Sequence, residues 1–530
     1  MGGLACGAML SKAGQRVVIL EQHYIAGGCT HVFKEQGIEF DTGVHYLGNM
    51  KKTQALWDIL TEEQGKIEWD RMGTEEDGYT YDNIIIGDKS YNYKAGVPAF
   101  CEEIKSHFGE EEMVNARNYL EYMIKTTQES MYMKLKVIQW KWLGDLLRKW
   151  YCADTFKMVN ETAIETIGRF TKNKELQAVL LGQFGDYGIV PSKAPFYIHA
   201  MVQEHYIESG GVFPKGGSAE IAKKLIPEIE RNGGAVFVRR AVEKIIIKNG
   251  RAVGVKMVTG EEIFAKNIVS GAGVPLTYDR FLPKEHVPED LIKKIKSVGM
   301  SEMAMLYAFI GLDGSPEELE LSSNNIWQYP HNDFEKVVED YEKDPENAPM
   351  FFFIGTPCAK DSTWNERYPG KSNAVILTKA NYLDYKKYED QNPGKRDEEY
   401  NRKKQRFMDR VLEEALYKNY PKTRGRVTIQ EVGTPITFNH YLGNLEGACY
   451  GMASKKERFV EDDWLLPKTH IPGLYLTGQD VTMMGVMGAF ASGNITAHSI
   501  LGYGNVLDVL SGRDLIKDLI HANILEKKNK

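Results

Sequence analysis

The sequence predicts an α/β chain in which one domain, assembled from three separated segments, is interleaved with a second domain of α+β type. Three observations predict it. Short apolar strands end in glycine-rich turns near the start, again around residues 233–273, and again near 474–502. The long blocks between them lack such turns. Glycine, at 50 of 530 residues, exceeds the usual share of about 7%.

The first segment, GGLACGAMLSKAGQRVVILEQH, reads as a helix with small and apolar residues, a stop at Gly14, and a buried strand from Val17 to Leu20 with Glu21 at its carboxyl end. In a dinucleotide-binding unit the third glycine of G-x-G-x-x-G opens the helix. An acidic residue about 20 positions on bonds the ribose 2′-hydroxyl. Gly3 and Glu21 fit that spacing, so the segment is read as Rossmann-like. The strand and two glycines that normally precede Gly3 are absent, and the chain is expected to begin inside its own phosphate loop, with the N-terminal strand of the unit missing. In AGGCTHVFKEQGIEFDTGVHYLG, the pair Gly27-Gly28 lets backbone approach a ligand closely, and Asp41-Thr42-Gly43 makes a further turn.

From Met113 to Tyr151 apolar residues recur at three- and four-residue steps, which predicts one long helix. Its later part carries Lys134, Lys136, Lys141, Arg148 and Lys149 against Asp145. Two readings stand: a basic amphipathic helix lying on a membrane surface, or a core helix with a solvated face. Residues 233–273 read as short strands with hairpin turns at Asn249-Gly250 and Thr259-Gly260. The charged run Asp384–Lys404, with Asn392-Pro393-Gly394, reads as a solvated loop. Near the end, a strand Leu474–Leu476 leads through Gly478-Gln479-Asp480 to a helix from about Gly485, whose N-terminus suits a phosphate or a flavin oxygen. The expected domains are 1–60, 206–275 and 441–503 for FAD and NAD(P) binding, 61–205 and 276–440 for substrate, and a tail at 504–530.

The net charge of −7 comes from interspersed signs and predicts no nucleic-acid footprint. The six cysteines are scattered, with no C-x-x-C pair and no metal-ligand spacing, and are read as free thiols with no metal site. The sequons at Asn160 and Asn494 are weak signs of secretion, and no signal peptide is expected. Val481 to Leu507 carries no Asp, Glu, Lys or Arg and exceeds the roughly 20 residues that span a bilayer. Its glycines, Asn494, Thr496 and His498 argue against a transmembrane segment.

The segments EQHYIAGGCTHVF, EFDTGVHYLG, GDYGIVPSKAPFYIHA, VFPKGGSAEI, AKDSTWNERYPGKS, LGNLEGACYG and GLYLTGQD carry a more specific pattern. From Gly2 to about Leu501 the chain resembles the all-trans-retinol 13,14-reductases, the retinol saturases. More distantly it is similar to phytoene desaturases and carotenoid isomerases. The resemblance implies an amine-oxidase-like fold, FAD as cofactor, NAD or NADP as electron source, and saturation of the 13,14 double bond of all-trans-retinol or of a related apolar polyene. It implies Gly3 in the phosphate loop, Glu21 on the adenosine ribose, Gly27 and Gly28 near the pyrophosphate, and Val242 by the adenine. Gly478 and Asp480 would face the ribityl chain and pyrophosphate, and Gly485 the flavin edge. It also implies peripheral association with the endoplasmic reticulum membrane. Lys527-Lys528-Asn529-Lys530 is similar to a dilysine retrieval signal, or is a solvated basic tail. The departure from the family is the missing first strand.

Saturating one double bond of a polyene needs a hydride, a proton and exclusion of water. Asp186 and Tyr187 in the GDYG turn are the candidate acids, with His199 and His205 as alternatives and ordered water as a further one. Two other functions stay open. One is desaturation or isomerisation of another isoprenoid; the other is a non-catalytic homologue with a binding or regulatory role.

Overall fold

The computed structural model describes residues 1–62, 65–138, 141–460 and 462–502. The tail at 504–530, with its dilysine-like end, lies outside the described residues.

The first domain is built around the helix Gly2–Lys12. The strand Val18–Leu20 follows it and pairs in parallel with Ala235–Phe237, which leaves Glu21 at the strand end as expected. Val242–Lys248, Arg251–Met257 and Glu262–Phe264 form an antiparallel sheet. Its first hairpin turns on Asn249 and Gly250, with φ of 51° and 71°, the left-handed pair that a two-residue hairpin loop demands. Ile268–Ser270 pairs in parallel with Leu474–Leu476. The last helix, Gly485–Leu501, packs on Gly2–Lys12. That contact depends on the absence of side chains: a Cβ on Gly493 would lie 2.8 Å from Ala5 Cβ and from Gly2 O.

The second domain carries a seven-stranded sheet in the order Val427–Gly433, Ala304–Asp313, Lys371–Ala380, Phe352–Gly355, Asn325–Tyr329, Thr80–Ile86, Lys89–Lys94. Its pairs are antiparallel except one. Asn325–Tyr329 and Thr80–Ile86 run parallel, with Asn325 opposite Asp82. Ala304–Asp313 and Lys371–Ala380 are buried along nearly their whole length, as apolar strands covered on both faces are. The helices Val97–Phe108, Glu110–Glu129 and Phe196–Ile207 pack together within the same apolar core.

The long helix expected over Met113–Tyr151 is instead three helices, Glu110–Glu129, Tyr132–Leu135 and Lys141–Tyr151. Ser130 is extended, and its hydroxyl bonds Thr155 Oγ1 at 2.8 Å and accepts from Tyr132 N at 3.4 Å. Thr127 Oγ1 donates back to Met123 O at 2.9 Å. Such hydroxyls compete with the helical ladder. The apolar stripe is therefore core through Ile138, whereas Trp142, Leu146, Trp150 and Tyr151 point to solvent.

Candidate functional site

Three chain segments meet at one cleft. A Cβ on Gly2 would lie 2.8 Å from Gly478 N, and one on Gly271 would lie 3.7 Å from Gly3 N. The amino end of the first helix therefore abuts the carboxyl ends of the parallel strands Ile268–Ser270 and Leu474–Leu476. This is where an open α/β sheet presents a binding crevice. Gly271, Gly273, Gly443, Gly451, Gly478 and Asp480 line the cleft.

The residues singled out from the sequence fall around it as follows. Gly3 and Gly485 have open space where a Cβ would project, and Gly28 has only Met1 N, at 3.8 Å. Gly27 has φ 126°, and a Cβ there would strike Thr30 Oγ1, so its role is conformational. Glu21 Oε1 accepts from His23 N at 2.8 Å. Its backbone bonds Phe237 O and Arg240 N, each at 2.8 Å. Val242 begins the antiparallel sheet just beyond, and packs with Leu20 against one apolar cluster. Asp480 is buried, and both its oxygens are occupied: Oδ2 accepts from Val274 N at 2.8 Å and Oδ1 from Met452 N at 3.0 Å. It ties three loops together and so shapes the wall of the cleft. Beside it the buried Arg458 donates to Met452 O at 2.9 Å and Gln479 O at 2.5 Å, fixing the same loops.

The segment Cys449-Tyr450-Gly451 links this cleft to the GDYG turn. Gly451 packs on Asp480, and the Tyr450 ring lies 3.0 Å from where a Cβ of Gly188 would stand. Within the turn, Phe184–Tyr187, the two candidate acids face different surroundings. Tyr187 is buried, with its hydroxyl 3.3 Å from His199 Nδ1, and His199 Nε2 lies 2.9 Å from the Tyr119 hydroxyl. Burial holds His199 neutral, its pKa lowered to about 3. His205 Nε2 accepts from Gly48 N at 2.8 Å, and burial lowers its pKa to about 4. These three groups are bonded into the packing.

Asp186 keeps part of its surface open and joins a different network. Tyr46 Oη lies 2.9 Å from Asp186 Oδ2 and 2.9 Å from Asp82 Oδ2. Asp82 also accepts from Gln183 Nε2 at 2.7 Å and from Asn325 Nδ2 at 2.9 Å. Lys360 Nζ donates to Asn325 Oδ1 and, at 2.9 Å, to His45 O. Tyr46 stacks on Tyr206 with ring centres 4.2 Å apart and planes 5° apart. Burial, and then the charge of Asp82, push the Asp186 carboxyl up to about 8. Burial lifts Asp82 to about 6 against the donors that hold it. Of the two, Asp186 is therefore the carboxyl that more readily keeps a proton and Asp82 the one that more readily ionises.

Residues 1–501 match the family described as flavin containing amine oxidoreductase. The chain belongs to that family. It is 35% identical to all-trans-retinol 13,14-reductase of Danio rerio and 34% identical to that of Rattus norvegicus, each over 94% of this chain and 84% of the relative. An oxidoreductase from Methanosarcina mazei shares its fold, with TM-score 0.61 at 16% identity over 95% of this chain and 98% of that one. As a flavin containing amine oxidoreductase the chain is an oxidoreductase of the two-domain flavoprotein fold.

The residues present fit a flavin dinucleotide. The glycine cradle at Gly3 and Gly478, the open Gly485, and the amino end of the helix Gly485–Leu501, whose first turn has no side-chain cap, suit a pyrophosphate and a flavin oxygen. Among the described residues no cluster suited to a metal ion occurs.

Of the network around Asp186, sequence reasoning missed Tyr46, Asp82, Gln183, Asn325 and Lys360. Tyr46 and Lys360 stand inside the quoted segments EFDTGVHYLG and AKDSTWNERYPGKS. An Asp within the apolar strand TYDNIII was the readable signal for Asp82, because an ionisable group buried in a strand needs partners.

Proposed function

We propose that this flavoprotein uses FAD to saturate the 13,14 double bond of all-trans-retinol, giving all-trans-13,14-dihydroretinol, with NADH or NADPH as the source of electrons. The observation that carries the chemistry is the Asp186 carboxyl, hydrogen-bonded to Tyr46 and pushed by burial toward its protonated form, in the turn that Tyr450 links to the cofactor cleft. The reductases named above, similar over 94% of the chain, support the substrate.

FAD, when bound and reduced by NADH or NADPH, would supply the hydride. Asp186 holds the proton and delivers it to carbon 14, leaving a tertiary cation at carbon 13 that the polyene delocalises and the hydride quenches. Tyr450, half-buried beside the turn, offers an electron-rich ring to such a cation, while Tyr46 and Tyr206 stack on one another behind Asp186. The carboxylate left on Asp186 takes the Tyr46 hydroxyl as donor once Asp82 recovers a proton, so the network can carry either state.

The proposal extends to peripheral attachment at the endoplasmic reticulum membrane. Among the described residues no helix is long and apolar enough to cross a membrane. The solvent-facing Trp142, Leu146, Trp150 and Tyr151 support attachment at its surface.

The test is product analysis. Protein loaded with reduced 5-deaza-FAD, whose transferable hydrogen sits on carbon and does not exchange with solvent, and given all-trans-retinol in deuterated water, is expected to yield dihydroretinol with solvent deuterium at carbon 14 only. Solvent deuterium at carbon 13 would overturn the assignment of the proton to carbon 14. A product of unchanged mass and altered double-bond geometry would replace saturation by isomerisation.

A further inference from the structure

We infer that Lys360 is a positioning residue which, acting through Asn325 and Asp82, keeps the reaction's proton on Asp186 instead of Asp82. The inference rests on the reading of Asp186 as proton donor and names what controls that donor.

The Tyr46 hydroxyl stands 2.9 Å from a carboxyl oxygen on each side but has one hydrogen to give. With one proton on the pair, one carboxyl is the donor to Tyr46 and the other the acceptor from it. Two arrangements satisfy this: the proton on Asp186 with Tyr46 donating to Asp82, or the proton on Asp82 with Tyr46 donating to Asp186. What else faces each carboxyl decides between them.

Asp186 faces Tyr46, Tyr206, Tyr450 and Cys449, all neutral, together with the charge of Asp82. Asp82 faces Tyr46, Gln183 and Asn325, with Tyr81 and Tyr93 nearby. The Asn325 amide can present either its NH₂ or its oxygen to Asp82. Lys360 removes that choice: an ammonium only donates, so Asn325 Oδ1 must face Lys360 and its NH₂ must face Asp82. Asp82 then meets two donors whatever Tyr46 does, Asn325 and Gln183, where Asp186 meets none among the described residues, so Asp82 is held as the anion and Tyr46 turns its hydrogen to it. Lys360 is itself buried, and faces Asp82, Asp41 and Cys358. Its second bond, to His45 O at 2.9 Å, fixes the peptide that carries Tyr46. With Lys360 neutralised, the amide is released to turn its oxygen to Asp82, which favours the protonated form of Asp82 and empties Asp186.

The experiment is infrared spectroscopy of flavin-loaded protein at pH 7, following the carbonyl band of buried neutral carboxylic acid. In the parent protein the band is expected to vanish with Asp186→Asn. In Lys360→Met it is expected to persist, to vanish with added Asp82→Asn, and to survive added Asp186→Asn. Asn325→Leu, which removes the amide and leaves the lysine, is expected to move the band as Lys360→Met does and covers the case in which the latter fails to fold. Lys360→Arg keeps charge and donors and should leave the band on Asp186. In turnover, Lys360→Met should lower kcat about ten- to a hundredfold near neutral pH with little change in KM, and shift the alkaline fall in kcat to lower pH. A band that belongs to Asp82 in the parent protein, or still to Asp186 in Lys360→Met, would overturn the inference. If the parent protein leaves retinol unreduced while the bands behave as expected, the functional reading fails and the control by Lys360 stands.

Discussion

Gly2 and Gly478 touch backbone to backbone: a Cβ on Gly2 would stand 2.8 Å from Gly478 N and 2.9 Å from its Cα. The cofactor cleft is thus closed by two residues that have no side chain, one opening the first helix and one ending a strand. Gly2→Ala forces these elements apart in a tightly packed place, which typically costs about 1–3 kcal/mol. We expect a lower melting temperature and weaker flavin retention, measured by the visible absorbance of purified protein. Full flavin occupancy at unchanged stability would show that the contact is slack.

Asp186 carries the chemical prediction. Asp186→Asn keeps the shape and removes the proton, so kcat should fall by about 10²–10⁴, the usual contribution of a general acid, while bound flavin and retinol KM change little. Because the acid works protonated and its pKa lies at about 8, kcat in the parent protein should be level through neutrality and decline as pH rises past about 8. Retention of that alkaline limb in Asp186→Asn would assign it elsewhere.

Asp480 provides a structural contrast. Its carboxylate accepts two buried backbone N–H groups, from Val274 and Met452. Asp480→Ala strands both donors, at roughly 1–3 kcal/mol each, and releases the wall of the cofactor cleft. Loss of flavin together with a large fall in the unfolding midpoint is expected. Flavin loss with an unchanged midpoint would instead point to a direct bond from Asp480 to the cofactor.

The parts of this architecture that depend on local chemistry were legible in the sequence. Asn249-Gly250 specifies a hairpin because only residues tolerant of positive φ suit its turn. The strand Leu474–Leu476 and the helix from Gly485 lie where apolar pattern and glycine punctuation put them. Glu21 ends its strand for the same reason. The network around Asp186 was not legible, because its members come from residues 46, 82, 183, 186, 325 and 360 and meet only through tertiary register. Asn325 reaches Asp82 because two distant strands pair in parallel with those residues opposite one another. Periodicity also runs unbroken through Ser130, whose hydroxyl competition with the backbone ends the helix.

The same carboxyl links stability to pH. Folded Asp186 retains its proton up to about 8, whereas an unfolded Asp releases it near its ordinary value of about 3.9. Its pKa is raised on folding, so its contribution to stability is complete below about pH 4 and is lost as pH rises through about 8. Denaturant unfolding at pH 6 and pH 9 should therefore show a loss of stability with pH that Asp186→Asn reduces. An equal loss in both proteins would locate the titration in another group.

The helix Lys141–Tyr151 gives the last prediction. Trp142 and Trp150 are 69% and 78% exposed and Leu146 is 47% exposed. Their four-residue spacing places them on one face. Lys149 is exposed beside them, whereas Arg148 is buried and paired with Asp145 at 2.5 Å. Large aromatic side chains at this exposure contribute little to the fold, but at a lipid surface each would bury apolar area worth roughly 1.5 kcal/mol or more, about tenfold in partitioning. The protein is expected to co-sediment with phosphatidylcholine vesicles, and more strongly when phosphatidylserine is included. Trp142→Ser and Trp150→Ser should each weaken that binding about tenfold, leave the melting temperature unchanged, and raise KM for retinol presented in vesicles without affecting KM for retinol in detergent. Unaltered vesicle binding in the double variant would show that this face does not meet the membrane.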